Sequence, residues 1–270
     1  HRVEKLNIPG VYLQREYHRF YPAGEVTGHL LGFTDIDDRG QEGLELAYDG
    51  WLAGEPGFKR VLRDRRGNTI EVEQVEPLQQ GQALELSLDL RIQYLAYREL
   101  KAAVQANSAK SGSIVVIDVT TGEVLAMANQ PSFNPNDRSE FRPARYRNRA
   151  VTDIFEPGSS IKPFVLAAAL ESGAFKSHST VDTSPGSFKV GSKLITDKHN
   201  LGNISLATVL TKSSNVGISK IAMELEPRFM WNTFSQFGFG ALTGSGLPAE
   251  SAGLLANYNS WRPISQATMS

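Results

Sequence analysis

The 270 residues suffice for one large domain or two smaller ones, and 40% hydrophobic against 21% charged residues is the balance of a globular protein with a real core. A net charge of −1 gives no electrostatic pull toward nucleic acid or an anionic membrane, and no apolar run is long enough to cross a bilayer. The absence of cysteine excludes disulfides, thiolate metal sites and a cysteine nucleophile.

To about residue 82 the chain is rich in glycine, proline and charge. A helix is predicted over 43–52, with Leu44, Tyr48 and Leu52 on one face. Short strands are predicted at 60–62 and 69–75, between turn signals at Glu55-Pro56-Gly57 and Arg66-Gly67. Residues 1–82 thus read as a small α+β module with a modest core.

The character changes around 79–82, and 83–88 alternate as a strand. Asp89 then caps a helix from Leu90 to about Ala106, with Ile92, Leu95, Ala96, Leu100 and Ala103 at helical spacing. A β-branched strand over 112–119, a two-residue turn at Thr121-Gly122 and a second strand over 123–128 make a hairpin. Helix, hairpin and further helices predict an antiparallel sheet packed against helices, an α+β domain over 83–270.

The stretch 130–149 reads as loop, with Pro131, Pro135 and Pro143. After a turn at Pro157-Gly158 comes the strongest helix, from Ser159 to Glu171, stopped by Ser172-Gly173. Residues 174–204 read as irregular and short-stranded. Helices over 205–212 and 216–225 flank a polar corner, Ser213-Ser214-Asn215.

Ser-x-x-Lys occurs once, as Ser159-Ser160-Ile161-Lys162. Spaced i,i+3 in a first helical turn, the two side chains share a face and can share a hydrogen bond. The helix continues as Phe164-Val165-Leu166-Ala167-Ala168-Ala169-Leu170, apolar almost all round and so expected to be buried. A lysine at the head of a buried helix is desolvated and near a positive dipole end, and both effects favour its neutral form. A neutral Lys162 can take the proton of Ser159. The plainer alternative is Ser159 as an N-cap and Lys162 as a solvated charge. Ser213-Ser214-Asn215 carries the same pair of readings: a proton relay at Ser213 with a substrate hydrogen bond at Asn215, or a helix cap.

Together, Ser-x-x-Lys followed by Ser-x-Asn is the order used by penicillin-binding proteins and class A β-lactamases. The runs Arg147-Asn148-Arg149-Ala150 and 155–163 closely resemble the active-serine segment of class B penicillin-binding proteins, and 212–220 resembles their second box. The strand segments 112–119 and 121–128 resemble the start of their transpeptidase sheet. Arg19-Phe20-Tyr21-Pro22-Ala23-Gly24, His29, Gly43-Leu44-Glu45 and Leu52-Ala53-Gly54 resemble their non-catalytic pedestal module. The resemblance spans nearly the whole chain and is closest to the division-specific FtsI type of Gram-negative bacteria.

It implies a transpeptidase fold, incomplete in these residues, behind an N-terminal pedestal of the dimerisation type. The implied activity is serine-type D-Ala-D-Ala transpeptidation of peptidoglycan stem peptides, with β-lactams as trapping mimics. Ser159 would be the nucleophile, Lys162 the base, Ser213 the relay and Asn215 the substrate clamp. Implied partners are other cell-division membrane proteins, with no nucleic acid, cofactor or metal. The implied location is the periplasmic face of the bacterial inner membrane, through a single-pass anchor outside these residues.

A chain that begins at His1 and stops at Ser270 is expected to be a piece of a longer protein. The family's third box, Lys-[Ser/Thr]-Gly on a sheet-edge strand, would fall beyond it. Lys110-Ser111-Gly112 has those letters but precedes the serine and enters the first strand. Without the strand that supplies an oxyanion donor, these residues are expected to acylate poorly, since losing one such donor costs about 2.7–4 kcal/mol. Asp35–Gly40 fails as a calcium loop because Arg39 and Leu46 stand at ligand positions. The histidines (His1, His18, His29, His178 and His199) show no metal-ligand spacing, so a mechanism without a histidine base is expected.

Overall fold

The computed structural model describes residue 8, residues 18–137, residue 139 and residues 142–268. His1 and Ser270 lie outside the described residues. Contacts divide the chain into two compact units, His1–Asp153 with Gly246–Glu250, and Ile154–Ser245 with Ser251–Ser270.

The first unit opens with short helices α1 (Gly28–Leu31), α2 (Gly43–Ala47) and α3 (Asp49–Leu52). The single helix expected over 43–52 is broken at Tyr48, whose φ of −117° and ψ of 24° lie outside the helical region. The Asp49 carboxylate accepts the Gly40 N–H at 2.7 Å and so tethers the second helix to the preceding loop. Of the expected apolar face only Leu44 is fully buried. Strands β1 (Phe58–Arg63) and β2 (Thr69–Glu76) form an antiparallel hairpin in which Val61 faces Val72. It is solvent-exposed along nearly its whole length.

Helix α4 (Leu90–Ala106) has the expected bounds, and Asp89 caps it by accepting the Arg91 N–H at 2.8 Å. Its seam, however, runs through Gln93, Ala96 and Leu100, while Leu95 is 49% exposed. The seam shifts because Gln93 is bound from both sides. Its Nε2 donates to the Val26 and Met127 carbonyls, and its Oε1 accepts the Met127 N–H at 2.7 Å. A fully buried amide is tolerable only when satisfied in this way.

Against α4 pack β3 (Gly112–Ile117) and β4 (Val124–Gln130), paired antiparallel. A Cβ on Gly112 would meet Leu100 Cδ1 at 2.9 Å and Val104 Cγ2 at 3.1 Å, so this glycine serves helix–strand packing. The loop between the strands is longer than the expected two-residue turn. Asp118 takes the Thr120 and Thr121 N–H groups on its carboxylate and pairs its own N–H with the Glu123 carbonyl. Residues 83–88 are not part of a ladder; they touch β4 through Ser87 Oγ to Val124 O, and the following Asp89 gives its N–H to Leu125 O. The stretch 130–149, read as loop, contains one short helix, α5 (Pro143–Tyr146), and a second, α6 (Arg149–Thr152), begins at its end.

His29 is 6% exposed, stacks edge-on against Phe133 at 5.2 Å and donates Nε2–H to the Arg145 carbonyl at 2.8 Å. Burial lowers its pKa to about 4. In the unfolded chain the ring titrates near 6.5, so on acidification the unfolded state binds the proton first. Stability is therefore expected to fall as pH drops from about 6.5 to about 4, by roughly 3 kcal/mol for this group. Urea unfolding across that window, with a His29→Gln variant showing a shallower slope, checks it.

The second unit is built around α7 (Lys162–Glu171), which follows a 3-10 turn over Gly158–Ile161. Pro163 explains the tighter first turn: it has no N–H to give the Ser159 carbonyl, which accepts the Lys162 N–H instead. Val165, Leu166, Ala168 and Ala169 are buried, whereas Leu170 is 46% exposed. Four short strands follow. β5 (Thr180–Asp182) pairs with β8 (Asn203–Ser205), and β6 (Ser187–Val190) pairs with β7 (Lys193–Thr196). Then come α8 (Leu206–Thr211), α9 (Asn215–Glu224), α10 (Pro227–Gln236) and, near the end of the described chain, α11 (Pro263–Thr268).

The core of this unit joins Val165 and Ala169 of α7 to Val209, Ile218, Ile221, Met230 and Phe234. Burying each of the Val, Ile, Met and Phe side chains contributes about 1.5–3 kcal/mol, so α7 and α9 are fixed firmly against one another. Gln266 donates to the Ala222 and Leu225 carbonyls, both at 2.7 Å, and so closes the C-terminal end of α9. Among the described residues no helix is long and apolar enough to cross a membrane.

Candidate active site

Packing α7 against α9 brings four side chains together at the heads of these helices. Ser159 sits in the 3-10 turn, Lys162 is the first residue of α7, Ser213 lies in the corner before α9, and Asn215 opens α9. The corner is tight. Ser213 has φ +51°, a left-handed backbone that costs a non-glycine residue some strain. Its turn is pinned by Ser213 N–H to Leu210 O and Ser214 N–H to Val209 O, both 2.9 Å. Gly217 permits the close approach, because a Cβ there would meet Ser214 Oγ and Val209 Cγ2 at 2.9 Å.

Lys162 is 2% exposed, and its ammonium is fully used. Nζ donates to the Ser213 carbonyl at 2.8 Å, to Ser213 Oγ at 3.0 Å and to Asn215 Oδ1 at 2.7 Å. Burial lowers its pKa from the ordinary lysine value, and the Asp197 carboxylate partly offsets this. Ser213 Oγ in turn donates to Ser159 Oγ at 3.0 Å. Lysine and serine are therefore connected through Ser213 rather than by the direct i,i+3 bond that their spacing allows. Ser159 itself is exposed, and its neighbour Ser160 is committed to the Pro157 carbonyl at 2.5 Å.

The chain of hydroxyls can run either way. With a charged lysine the protons point from Nζ toward Ser159. With a neutral lysine the same distances serve the reverse order: Ser159 donates to Ser213, and Ser213 to Nζ. That reversal is what activates a serine. The Ser159 N–H, at the open end of the 3-10 turn, has no acceptor among the described residues and is free to meet developing negative charge.

Ser159, Ser213 and Asn215 line a cleft of ≈ 550 Å³ together with Thr196, Asp197 and Lys198. Asp197 has no signal in the sequence. It follows β7, seventeen residues before Ser214, and accepts the Ser214 hydroxyl at 2.5 Å and the Asn215 N–H at 2.6 Å. Only the strand-to-helix packing makes them neighbours. Lys110-Ser111-Gly112 belongs to the other unit, where Gly112 opens β3. Asp35 uses its carboxylate on the Asp37 and Arg39 N–H groups of its own turn. No group of three or more His, Asp or Glu side chains among the described residues is arranged to hold a metal ion.

The family model of the penicillin binding protein transpeptidase domain matches residues 112–270, and that of the penicillin-binding protein dimerisation domain matches residues 2–86. The peptidoglycan D,D-transpeptidase FtsI of Escherichia coli is 45% identical over 268 residues, covering 99% of this chain and 45% of that protein. A crystal structure of a peptidoglycan synthetase from Bifidobacterium adolescentis superposes with a TM-score of 0.80 at 27% identity, over 99% of this chain and 49% of that one. The apo structure of the TP domain of Burkholderia pseudomallei penicillin-binding protein 3 gives 0.61 at 42% identity, over 68% of this chain and 51% of that one. The chain spans about half the length of the curated relatives it matches.

Proposed function

Because this chain belongs to the penicillin-binding protein transpeptidase family, we propose that it is part of a septal peptidoglycan D,D-transpeptidase working through a serine acyl-enzyme. The observation that carries this reading is the hydrogen-bonded line Lys162–Ser213–Ser159, with a buried lysine at one end and an exposed hydroxyl at the other.

Neutral Lys162 takes the Ser213 proton as Ser213 takes that of Ser159. Ser159 Oγ bonds to the carbonyl carbon of the penultimate D-Ala of a stem peptide, and the Ser159 N–H faces the resulting oxyanion. The peptide C–N bond breaks, and the departing D-Ala amine receives the proton back through Ser213. An amine of a second stem peptide then attacks the ester, forming the cross-link and freeing Ser159. Asn215, beside the cleft, has its Oδ1 held by Lys162 and one Nδ2–H given to the Thr196 carbonyl, and it would offer its second Nδ2–H to the donor's backbone. A β-lactam follows the first half of the same path. Its leaving nitrogen stays tethered after ring opening, so the acceptor is kept out.

Residues 1–82 are proposed as the pedestal, docking other cell-division membrane proteins, and 83–270 as part of the catalytic domain. The whole protein is proposed to sit on the periplasmic face of the inner membrane with a single-pass anchor. The full-length protein is expected to turn over a thioester analogue of the donor and to pass the acyl group to an added D-amino acid, with penicillin blocking both. Stoichiometric acylation without transfer would identify a β-lactam sensor and overturn the reading.

A further inference from the structure

We propose that Asp197 is a positioning residue of this site: from the end of the β6–β7 hairpin its carboxylate clamps the Ser213–Asn215 corner so that Ser213 and Asn215 face Lys162. The inference rests on the acyl-transfer reading above and concerns what keeps that geometry in place.

The clamp has two prongs. Asp197 Oδ2 accepts the Ser214 hydroxyl at 2.5 Å, and Oδ1 accepts the Asn215 N–H at 2.6 Å and the Val216 N–H at 3.1 Å. These are the first backbone donors of α9, which have no partner within the helix. Ser214 accepts from the next two, taking the Gly217 N–H on Oγ at 2.8 Å and the Ile218 N–H on its carbonyl at 3.2 Å. A carboxylate from a different element thus completes the cap of α9, where negative charge is also favoured by the helix dipole.

The hairpin that carries Asp197 is itself anchored. The Asp197 N–H donates to the Gly186 carbonyl at 3.0 Å, closing the base of the hairpin. One residue earlier, the Thr196 carbonyl accepts Asn215 Nδ2 at 3.3 Å, which fixes the amide so that Oδ1 turns to Lys162. Ser213, in its left-handed conformation, is held from the α8 side by its turn and from the α9 side by this clamp. Loss of the carboxylate leaves the Ser214 hydroxyl and two N–H groups without acceptors, next to the residue that has least conformational reserve.

The carboxylate also acts on Lys162 at a distance, favouring its ammonium form against burial. The other charged or titratable groups lining the same cleft are Lys198, His199 and Lys212. The two roles can be separated, because Asp197→Asn keeps an oxygen for the Asn215 and Val216 N–H groups but removes the charge, whereas Asp197→Ala removes both.

The test is the pH dependence of acylation by a fluorescent penicillin in the full-length protein and these two variants, with thermal unfolding measured alongside. Asp197→Ala is expected to acylate at least about tenfold more slowly than the unaltered protein. Asp197→Asn is expected to lose less rate and to show its pH inflection displaced to lower pH, a change that a purely structural role would not produce. If the alanine variant does not fold, the displaced inflection of the asparagine variant decides. Native acylation by Asp197→Ala, or a native pH profile in Asp197→Asn, overturns the inference while leaving the acyl-transfer reading intact. Absence of labelling in the unaltered full-length protein overturns that reading and this inference with it.

Discussion

A full-length Ser159→Ala variant is expected to take up no fluorescent penicillin under conditions that label the unaltered protein completely, a loss of roughly 10⁴-fold or more in acylation rate. Ser159 is the exposed terminus of the hydroxyl chain that begins at Lys162, and Ser213 Oγ is directed at it from 3.0 Å. Its neighbour cannot substitute, because Ser160 Oγ is turned into the Pro157 carbonyl. Removing one exposed hydroxyl with a single side-chain partner is expected to change stability by no more than about 1 kcal/mol. The loss of labelling would then report chemistry rather than unfolding. A Ser160→Ala variant is the control and should still be labelled. Equal labelling of Ser159→Ala and the unaltered protein would sink the assignment.

Replacing Lys162 is expected to remove the proposed base and the hydrogen-bond hub at once. Lys162→Ala leaves the partly buried Ser213 carbonyl and Asn215 Oδ1 without their donor, and also loses the proposed proton acceptor. Acylation should fall by roughly 10²–10⁴-fold, the usual worth of a general base. Lys162→Arg separates the roles, since a guanidinium keeps charge and donors but does not give up its proton. It should be as slow as the alanine variant. In the proposed role of base the neutral lysine is the active form, so acylation of the unaltered protein should rise with pH to a plateau. Burial lowers the lysine's pKa, so the inflection should lie below the ordinary lysine value of 10.5. A flat pH profile, or an arginine variant that acylates at the native rate, would remove Lys162 from the role of base.

In two places where sequence-based expectation and structure part, the cause is a contact from outside the element. The apolar spacing at Leu44, Tyr48 and Leu52 predicts one helix, but Asp49 is held by the Gly40 N–H and the helix breaks at Tyr48. The seam of α4 runs through Gln93 and not Leu95, because a glutamine with three good partners can be buried as completely as a leucine. Alternation over 83–88 has the period of a strand without forming a ladder. Elements that carry their own stop signals fared better. α4 begins at its aspartate cap, and α8 and α9 meet at a Ser-Ser-Asn corner whose Ser214 caps α9.

The sequence by itself determined the two local parts of the site: a serine and a lysine one helical turn apart at the head of an apolar helix, and a polar corner with Ser213 and Asn215 between two helices. Spacing within a single element is enough to place side chains on one face. Only the tertiary structure decided how those parts connect. Lys162 reaches Ser159 through Ser213, a residue 51 positions along the chain, and the corner is held by Asp197 from a hairpin that no motif marks. Local spacing cannot encode such a meeting, because it depends on where the buried faces of α7 and α9 lock together. The bond that i,i+3 geometry allowed between Ser159 and Lys162 gave way to three acceptors offered by the packed partner, which satisfy a buried ammonium as one exposed hydroxyl could not.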